Sequence, residues 1–432
     1  MDQAPPRPWR RTRLAAATLA LIYVTLETGA YVTSAIRAGD ARPFSAWQAL
    51  RAELAEKSIA DPEAAPNSSE ADGERTEVLH PFIGYLSELN TGTGGPDQIA
   101  LDSTEFYDPA SPLYHPSPER RVIAITGGSV AVQFATGPGA EALRQGLSED
   151  PAYRDKQLLL VNMATNGFKQ PQQLMAVAYA LSLGVHLDLV LNIDGFNEVA
   201  LHVAENGKKG VNPSYPRGWY FRAGRSPDSD ILPLMGILAS ADRDRIGLAR
   251  NALTSPWRWS PTFQLIWYSR DQALWRRIVA HKRILREARP QRRDPRRTGP
   301  SIEFASDEDL YQHMAERWAD GSRQLDRLCS ANGIGYYHFL QPNQYVAGSK
   351  VLSADELEGA YNEQQPYRPG VLAGYPLLRQ LGSRLRQEGI EFTDFTPLFQ
   401  SVVETLYVDD CCHMNGLANE LMAQAMASEI LE

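Results

Sequence analysis

A chain of 432 residues, 43% hydrophobic and 22% charged, has the composition of a globular protein and length for one large domain or two ordinary ones. Its net charge of -9 excludes a nucleic-acid binder as a whole. Three cysteines are too few for a disulfide framework. The adjacent Cys411 and Cys412 rarely bridge in such pairs, and Cys411, Cys412 and His413 lack the spacing of metal ligands, so no metal site is expected.

At the amino terminus Arg7, Arg10, Arg11 and Arg13 precede "LAAATLALIYVTLETGAYVTSAI", residues 14–36, with Glu27 near its outer end. About 20 apolar residues cross a bilayer, and basic flanks stay on the cytoplasmic side. The segment reads as an uncleaved transmembrane anchor behind a cytoplasmic tail, residues 1–13. The competing reading is a signal peptide with its apolar region at Leu14–Leu26, although no clear small-x-small cleavage site follows. Both readings export the remainder. Residues 37–78, rich in Ala, Glu, Ser and Pro, read as a short helix followed by a solvated linker, and the folded domain is expected over 79–432.

Within that domain, apolar runs rich in β-branched residues occur at 121–126, 157–163, 187–193, 335–341 and 391–395. Helical patterns at 139–147, 170–184, 307–332, 375–389 and 416–431 alternate with them. Strands that are apolar on both faces and alternate with helices predict an α/β fold, a parallel sheet covered on both sides in three layers. "TGTGG" at 91–95 reads as a turn rather than a phosphate loop, because no strand precedes it.

A long insertion, 200–305, separates the third and fourth strands. Between Arg270 and Arg297 it holds eleven basic residues and three acidic ones, about +8, which leaves about -17 for the rest. Its aromatic and basic segment reads either as a lid or membrane-surface helix, or as a helical insertion that packs its tryptophans on a core and solvates its arginines.

Ligands of an open parallel sheet bind beyond the carboxyl ends of its strands. There the sequence places Gly127, Gly128 and Ser129 after the first strand, Asn162 and Gly167 after the second, and Gly195 and Asn197 after the third. Near the carboxyl terminus "YVDDCCHMN" sets Asp410 three residues before His413. These groups suit acyl transfer. Ser129 is the candidate nucleophile, His413 its base, and Asp410 the carboxylate that fixes the imidazole tautomer. The amides of Ser129 and Gly167 and the side chain of Asn197 are the candidate oxyanion donors. Gln341, Asn343 and Gln344, in the loop after the fourth strand, are candidate contacts to the hydroxyls of a polar substrate. Each feature has a plainer reading as a turn, a cap or a loop satisfying its own backbone, and the weight lies in their conjunction in chain order.

The blocks "ITGGS" (Ser129), "NMATNG" (Gly167), "GFN" (Asn197) and "DDCCH" (Asp410 with His413) resemble, in that order, those of the SGNH hydrolases, also called the GDSL family of lipases and acylhydrolases. The resemblance covers about residues 120–200 and 334–432. It implies a flavodoxin-like α/β/α fold and cofactor-free hydrolysis of lipid, sugar or small acyl esters. Gly128 stands where the name-giving motif has Asp, and Glu198 where Asp usually follows the Asn. "DGFNE" and "GFKQPQQ" also look like an exported, membrane-tethered bacterial subgroup, which implies a periplasmic domain held at the inner membrane. The expected function is thus a serine esterase acting on O-acyl groups of a glycan or lipid. The alternatives are acyl transfer to an exported polysaccharide and a retained fold without catalysis serving envelope assembly. "GGSVA" also approaches the nucleophile elbow of α/β-hydrolases, with Ala131 in place of the last glycine.

Overall fold

Backbone groups buried on both faces of an apolar strand must find partners in a ladder. In the computed structural model, which describes residues 8–38, 42–60, 77–87, 97–223, 232–287 and 294–432, the apolar runs meet that requirement in one sheet. A short antiparallel hairpin, β1 (Glu77–His80) and β2 (Gly84–Ser87), precedes it. The sheet consists of β3 (Gln98–Ala100), β4 (Arg120–Gly127), β5 (Gln157–Asn162), β6 (Leu189–Asp194), β7 (Gly335–Leu340) and β8 (Glu391–Asp394). Its order is β3-β5-β4-β6-β7-β8 and every pairing is parallel. Counted from β4 the order is 2-1-3-4-5, with β3 added at one edge. β6 is buried along its whole length and β4 from Val122 onward.

The principal helices are α1 (Pro8–Ala38), α2 (Phe44–Ala60), α3 (Ser129–Thr136), α4 (Pro138–Leu147), α5 (Gln172–Ser182) and α6 (Phe196–Leu201), followed by α7 (Leu232–Thr254), α8 (Pro261–Glu287), α9 (Asp307–Ala331), α10 (Arg368–Gln387) and α11 (Gly416–Leu431). Helix starts follow the capping chemistry of the sequence. The Ser306 hydroxyl accepts from Asp309 N ahead of an acidic first turn in α9, and Asn415 accepts from Ala418 N ahead of α11. One group of helices brings α4 against α3 and α11, and another brings α9 against α5, α6 and α10. The molecule is therefore an α/β protein built on a parallel six-stranded sheet.

The chain divides into two compact units, residues 76–226 with 289–432, and residues 1–75 with 227–288. The first holds the sheet. The second has its own core, in which Leu54 and Ala55 of α2 pack with Ala249 and Ala252 of α7 and Trp267 of α8. A buried Arg245–Asp271 ion pair, 2.7 Å long, joins α7 to α8. The expected short helix within residues 37–78 is a 17-residue one with a buried face, the linker expected after it falls on undescribed residues, and the helical part of the 200–305 insertion packs with α2. Trp267 is buried as a packing insertion requires, whereas Trp257 and Trp259 are exposed. In α1, Thr12–Arg37 is long and apolar enough to span a membrane. The segment 61–76, the expected turn at 91–95 and the Pro/Arg-rich stretch 288–293 lie outside the described residues.

Candidate active site

The opening of the site is set by two glycines at the end of β4. Gly127 has φ +144°, and a Cβ there would fall 2.0 Å from the Ile193 carbonyl oxygen on the neighbouring strand. At Gly128 a Cβ would fall 2.1 Å from Asn197 Nδ2. The chain must therefore leave the sheet without side chains at both positions, and Ser129 follows as the first residue of α3. In a sheet with this strand order the carboxyl end of β4 is the topological switch point, where the connection leaving β4 through α3 and α4 and the connection leaving β6 through α6 lie on opposite sides.

His413 arrives from the other end of the chain. A bridge between Tyr407 and Met414, with Val408 N donating to the His413 carbonyl at 3.1 Å, closes residues 408–413 into a tight loop. His413 Nε2 lies 2.8 Å from Ser129 Oγ, and Nδ1 lies 2.6 Å from Asp409 Oδ2. The other Asp409 oxygen accepts from the amides of Cys411, Cys412 and His413 at 3.0, 3.1 and 3.1 Å. Burial pulls the Asp409 carboxyl upward, but the hydrogen bond and charge of His413, with the loop amides, outweigh it and hold the group at about 2.

The partner of His413 is thus Asp409 and not Asp410, which the Asp-x-x-His spacing suggested. The loop turns so that the carboxylate at 409 faces back over its own following amides, while Asp410 Oδ2 accepts from Asn362 Nδ2 at 3.1 Å. Two adjacent aspartates left the sequence with no local signal to choose between them.

Asn197, in the first turn of α6, donates from Nδ2 to the Phe168 carbonyl at 2.7 Å, beside Gly128. Phe168 follows Gly167, whose φ of +78° and lack of a side chain admit Arg217, with Cδ 2.5 Å from where a Cβ would stand. Ser129, Gly167 and Asn197 therefore converge on the carboxyl edge, as their order along the chain implied. Arg217 is bidentate to Glu205 at 3.0 and 3.1 Å, and Tyr367 Oη donates to the same carboxylate at 2.6 Å. That ion pair raises the Arg217 guanidinium above its ordinary value against the opposing effect of burial.

Glu198 has a role that the sequence did not disclose. Its Oε2 accepts from Gly195 N at 2.9 Å, and its Oε1 accepts from Gln170 N at 3.0 Å and Gln173 Nε2 at 3.1 Å. One buried side chain ties together the loops that carry Gly167 and Asn197. Burial, and then the nearby charge of Asp194, push Glu198 up to about 8. Asp194 itself closes a buried network behind the site, accepting from Trp318 Nε1 at 2.6 Å and Asn192 Nδ2 at 2.8 Å, with His338 Nε2 at 2.8 Å.

The loop after β7 departs from expectation. Gln341, Asn343 and Gln344 are 3%, 0% and 6% exposed, too buried to meet substrate hydroxyls. Two of them hold the histidine loop instead. Asn343 Nδ2 donates to the Cys411 carbonyl at 3.3 Å, and Gln344 Nε2 donates to the Asp409 carbonyl at 2.9 Å. Tyr345 Oη adds a 2.7 Å bond to the Asp410 carbonyl. An amide-rich loop facing a short loop of free carbonyls does more for the fold by satisfying them than by staying solvated. Among the described residues there is no metal-holding cluster of His, Cys, Asp and Glu. No protein-family model matches the chain, and no curated protein is significantly similar to it.

Proposed function

We propose that this chain is a membrane-tethered serine ester hydrolase of the SGNH type, acting outside the cytoplasm on O-acyl esters of a glycan or lipid. The observation that carries the reading is the continuous line of hydrogen-bond contacts Ser129 Oγ, His413 Nε2, His413 Nδ1 and Asp409 Oδ2, with separations of 2.8 and 2.6 Å. The 2-1-3-4-5 strand order, flavodoxin-like with the serine at its switch point, supports it. The apolar helix with basic residues before it supports the tether and, by the tendency of basic flanks to stay on the cytoplasmic side, favours an extracytoplasmic catalytic unit.

The chemistry follows from the contacts. Asp409, ionised at any pH well above 2, accepts the Nδ1 proton and leaves Nε2 free to take the proton of Ser129 Oγ. The alkoxide attacks the ester carbonyl. The oxyanion that forms is held by the Ser129 and Gly167 amides and by the Asn197 N–H not given to Phe168. Each such donor lowers the barrier by roughly 2.7–4 kcal/mol. His413 returns the proton to the leaving alcohol, and water repeats the sequence on the acyl-enzyme. No cofactor is required.

Full-length protein offered p-nitrophenyl esters of increasing acyl length is expected to hydrolyse them, and Ser129→Ala is expected to lose at least 10³-fold in kcat. Turnover retained in Ser129→Ala would overturn the assignment. The chain-length profile separates a short-acyl, deacetylase-like site from a lipase-like one.

A further inference from the structure

Glu27 is the one carboxylate in the apolar length of α1, and its partners fix the depth of a second element. It accepts from Ser260 Oγ at 2.6 Å and from Thr262 N at 3.0 Å. Further along the same helix Arg37 Nη1 donates to Ser269 Oγ at 3.3 Å. The two contacts come in the same order on both helices, so α8 runs parallel to the outer part of α1 and starts at the level of residue 27. α7 runs back antiparallel to α8, with Trp267 Nε1 donating to the Leu248 carbonyl at 3.1 Å and Arg245 paired with Asp271. The turn between them, Pro256–Trp259, is therefore the end of a helical hairpin that faces the inner half of α1.

From Thr12 to Leu26 every side chain of α1 is exposed, whereas Ala30 is buried and Tyr31, Thr33 and Ser34 are half-buried against their neighbours. Residues 14–26 rise about 20 Å, less than the ~30 Å of a typical hydrocarbon core. At the inner end Arg13, with Arg10 and Arg11 behind it, bounds the apolar length. The exposed apolar length therefore ends at the level of Glu27, where the hairpin turn lies, and the bilayer meets the shortfall by local thinning. The surface of that turn is Trp257, 63% exposed, Trp259, 62% exposed, and Arg258 between them. It is rigid. Arg258 Nη1 donates to the Leu253 carbonyl at 2.9 Å, its guanidinium lies 5.5 Å from the Trp259 ring, and Gln264 Nε2 donates to its carbonyl at 2.8 Å. Two indoles fixed outward are poorly placed for water and well placed for a headgroup layer, where an amphipathic ring satisfies both ends and an arginine meets phosphate.

We infer that the Trp257–Arg258–Trp259 turn is a second membrane contact, seated among the lipid headgroups of the leaflet through which α1 leaves the bilayer. The inference rests on α1 as a bilayer span and is independent of the chemistry at Ser129. Glu27 then lies where Ser260 and Thr262 satisfy it, and α1 is held at two points rather than as a free tether.

The test uses the full-length chain in phosphatidylcholine vesicles carrying lipids brominated either near the headgroup or near the acyl-chain end. Indole emission is compared between wild type and Trp257→Phe/Trp259→Phe, and each single variant is measured in case the pair disturbs folding. The difference signal is expected to be quenched at least twofold more by the shallow bromines than by the deep ones, and to be shielded from aqueous iodide. A difference signal quenched by iodide and by neither lipid, by deep bromines as much as shallow ones, or by none of these would overturn the inference. So would protein that fails to float with the vesicles. None of these outcomes bears on esterase activity, which is read separately.

Discussion

Asp409 and Asp410 are chemically identical, and only the path of the backbone decides which one serves His413. Ser129 and His413 were legible because each follows a recognisable element, an apolar strand and the start of the last helix. The acid was not, because its assignment depends on three consecutive amides turning toward one carboxylate. That arrangement carries a pH signature. A carboxyl whose folded pKa is depressed contributes stability above its unfolded value, near 3.8, and loses it as pH falls toward about 2. Its side chain is 39% exposed, which screens the contribution to about 1 kcal/mol. Urea unfolding of wild type and Asp409→Asn should therefore differ by about that amount at pH 6 and converge as pH drops from 4 to 2. A difference that stays constant down to pH 2 would contradict the hydrogen-bonded, ionised carboxylate.

Five of the six sheet strands could be read from continuous apolar runs, since a strand covered on both faces needs no alternation. β3 could not, because three residues at an edge carry too little pattern. The loops were harder to read. The polar residues after β7 looked like substrate ligands because sequence shows which side chains can hydrogen-bond, not whether a neighbouring backbone claims them. Glu356 is the same case at larger cost. With Lys350 it forms a fully buried 2.8 Å ion pair, and its Oε1 accepts from Leu406 N and Tyr407 N at 2.8 and 3.0 Å, bracing the segment that enters the histidine loop. Burial raises this carboxyl, yet Lys350 and the amides of Ser353, Tyr407 and Leu406 bring it below its ordinary value. Glu356→Ala removes the carboxylate partner of a buried ammonium and of three amides. It is expected to cost about 3–5 kcal/mol of unfolding free energy, measured in urea, and to lower kcat through the loaded loop. A loss under about 1 kcal/mol would show that the brace is dispensable.

For the whole molecule, the sequence separated an apolar amino-terminal helix from an α/β body, and both are present. It did not reveal that α7 and α8, some two hundred residues downstream, share a core with α2. Contacts such as Leu54 and Ala55 with Trp267 leave no periodic trace within either segment. Nor could spacing show that Glu27, which reads as a defect in an apolar span, meets Ser260 and Thr262. The same holds for the site, whose working parts come from residues 129, 167, 197 and 409–413 and meet only because the parallel sheet brings its strand ends to one edge. The most direct measurement is the rate of fluorophosphonate labelling of full-length wild type, Ser129→Ala, Asp409→Asn and Asp410→Asn, with the adduct located by mass. The Ser129–His413–Asp409 line predicts an adduct on Ser129 in wild type and none in Ser129→Ala. It also predicts labelling roughly 10³- to 10⁴-fold slower in Asp409→Asn and close to wild type in Asp410→Asn. Labelling that survives Ser129→Ala, or a loss confined to Asp410→Asn, would contradict it.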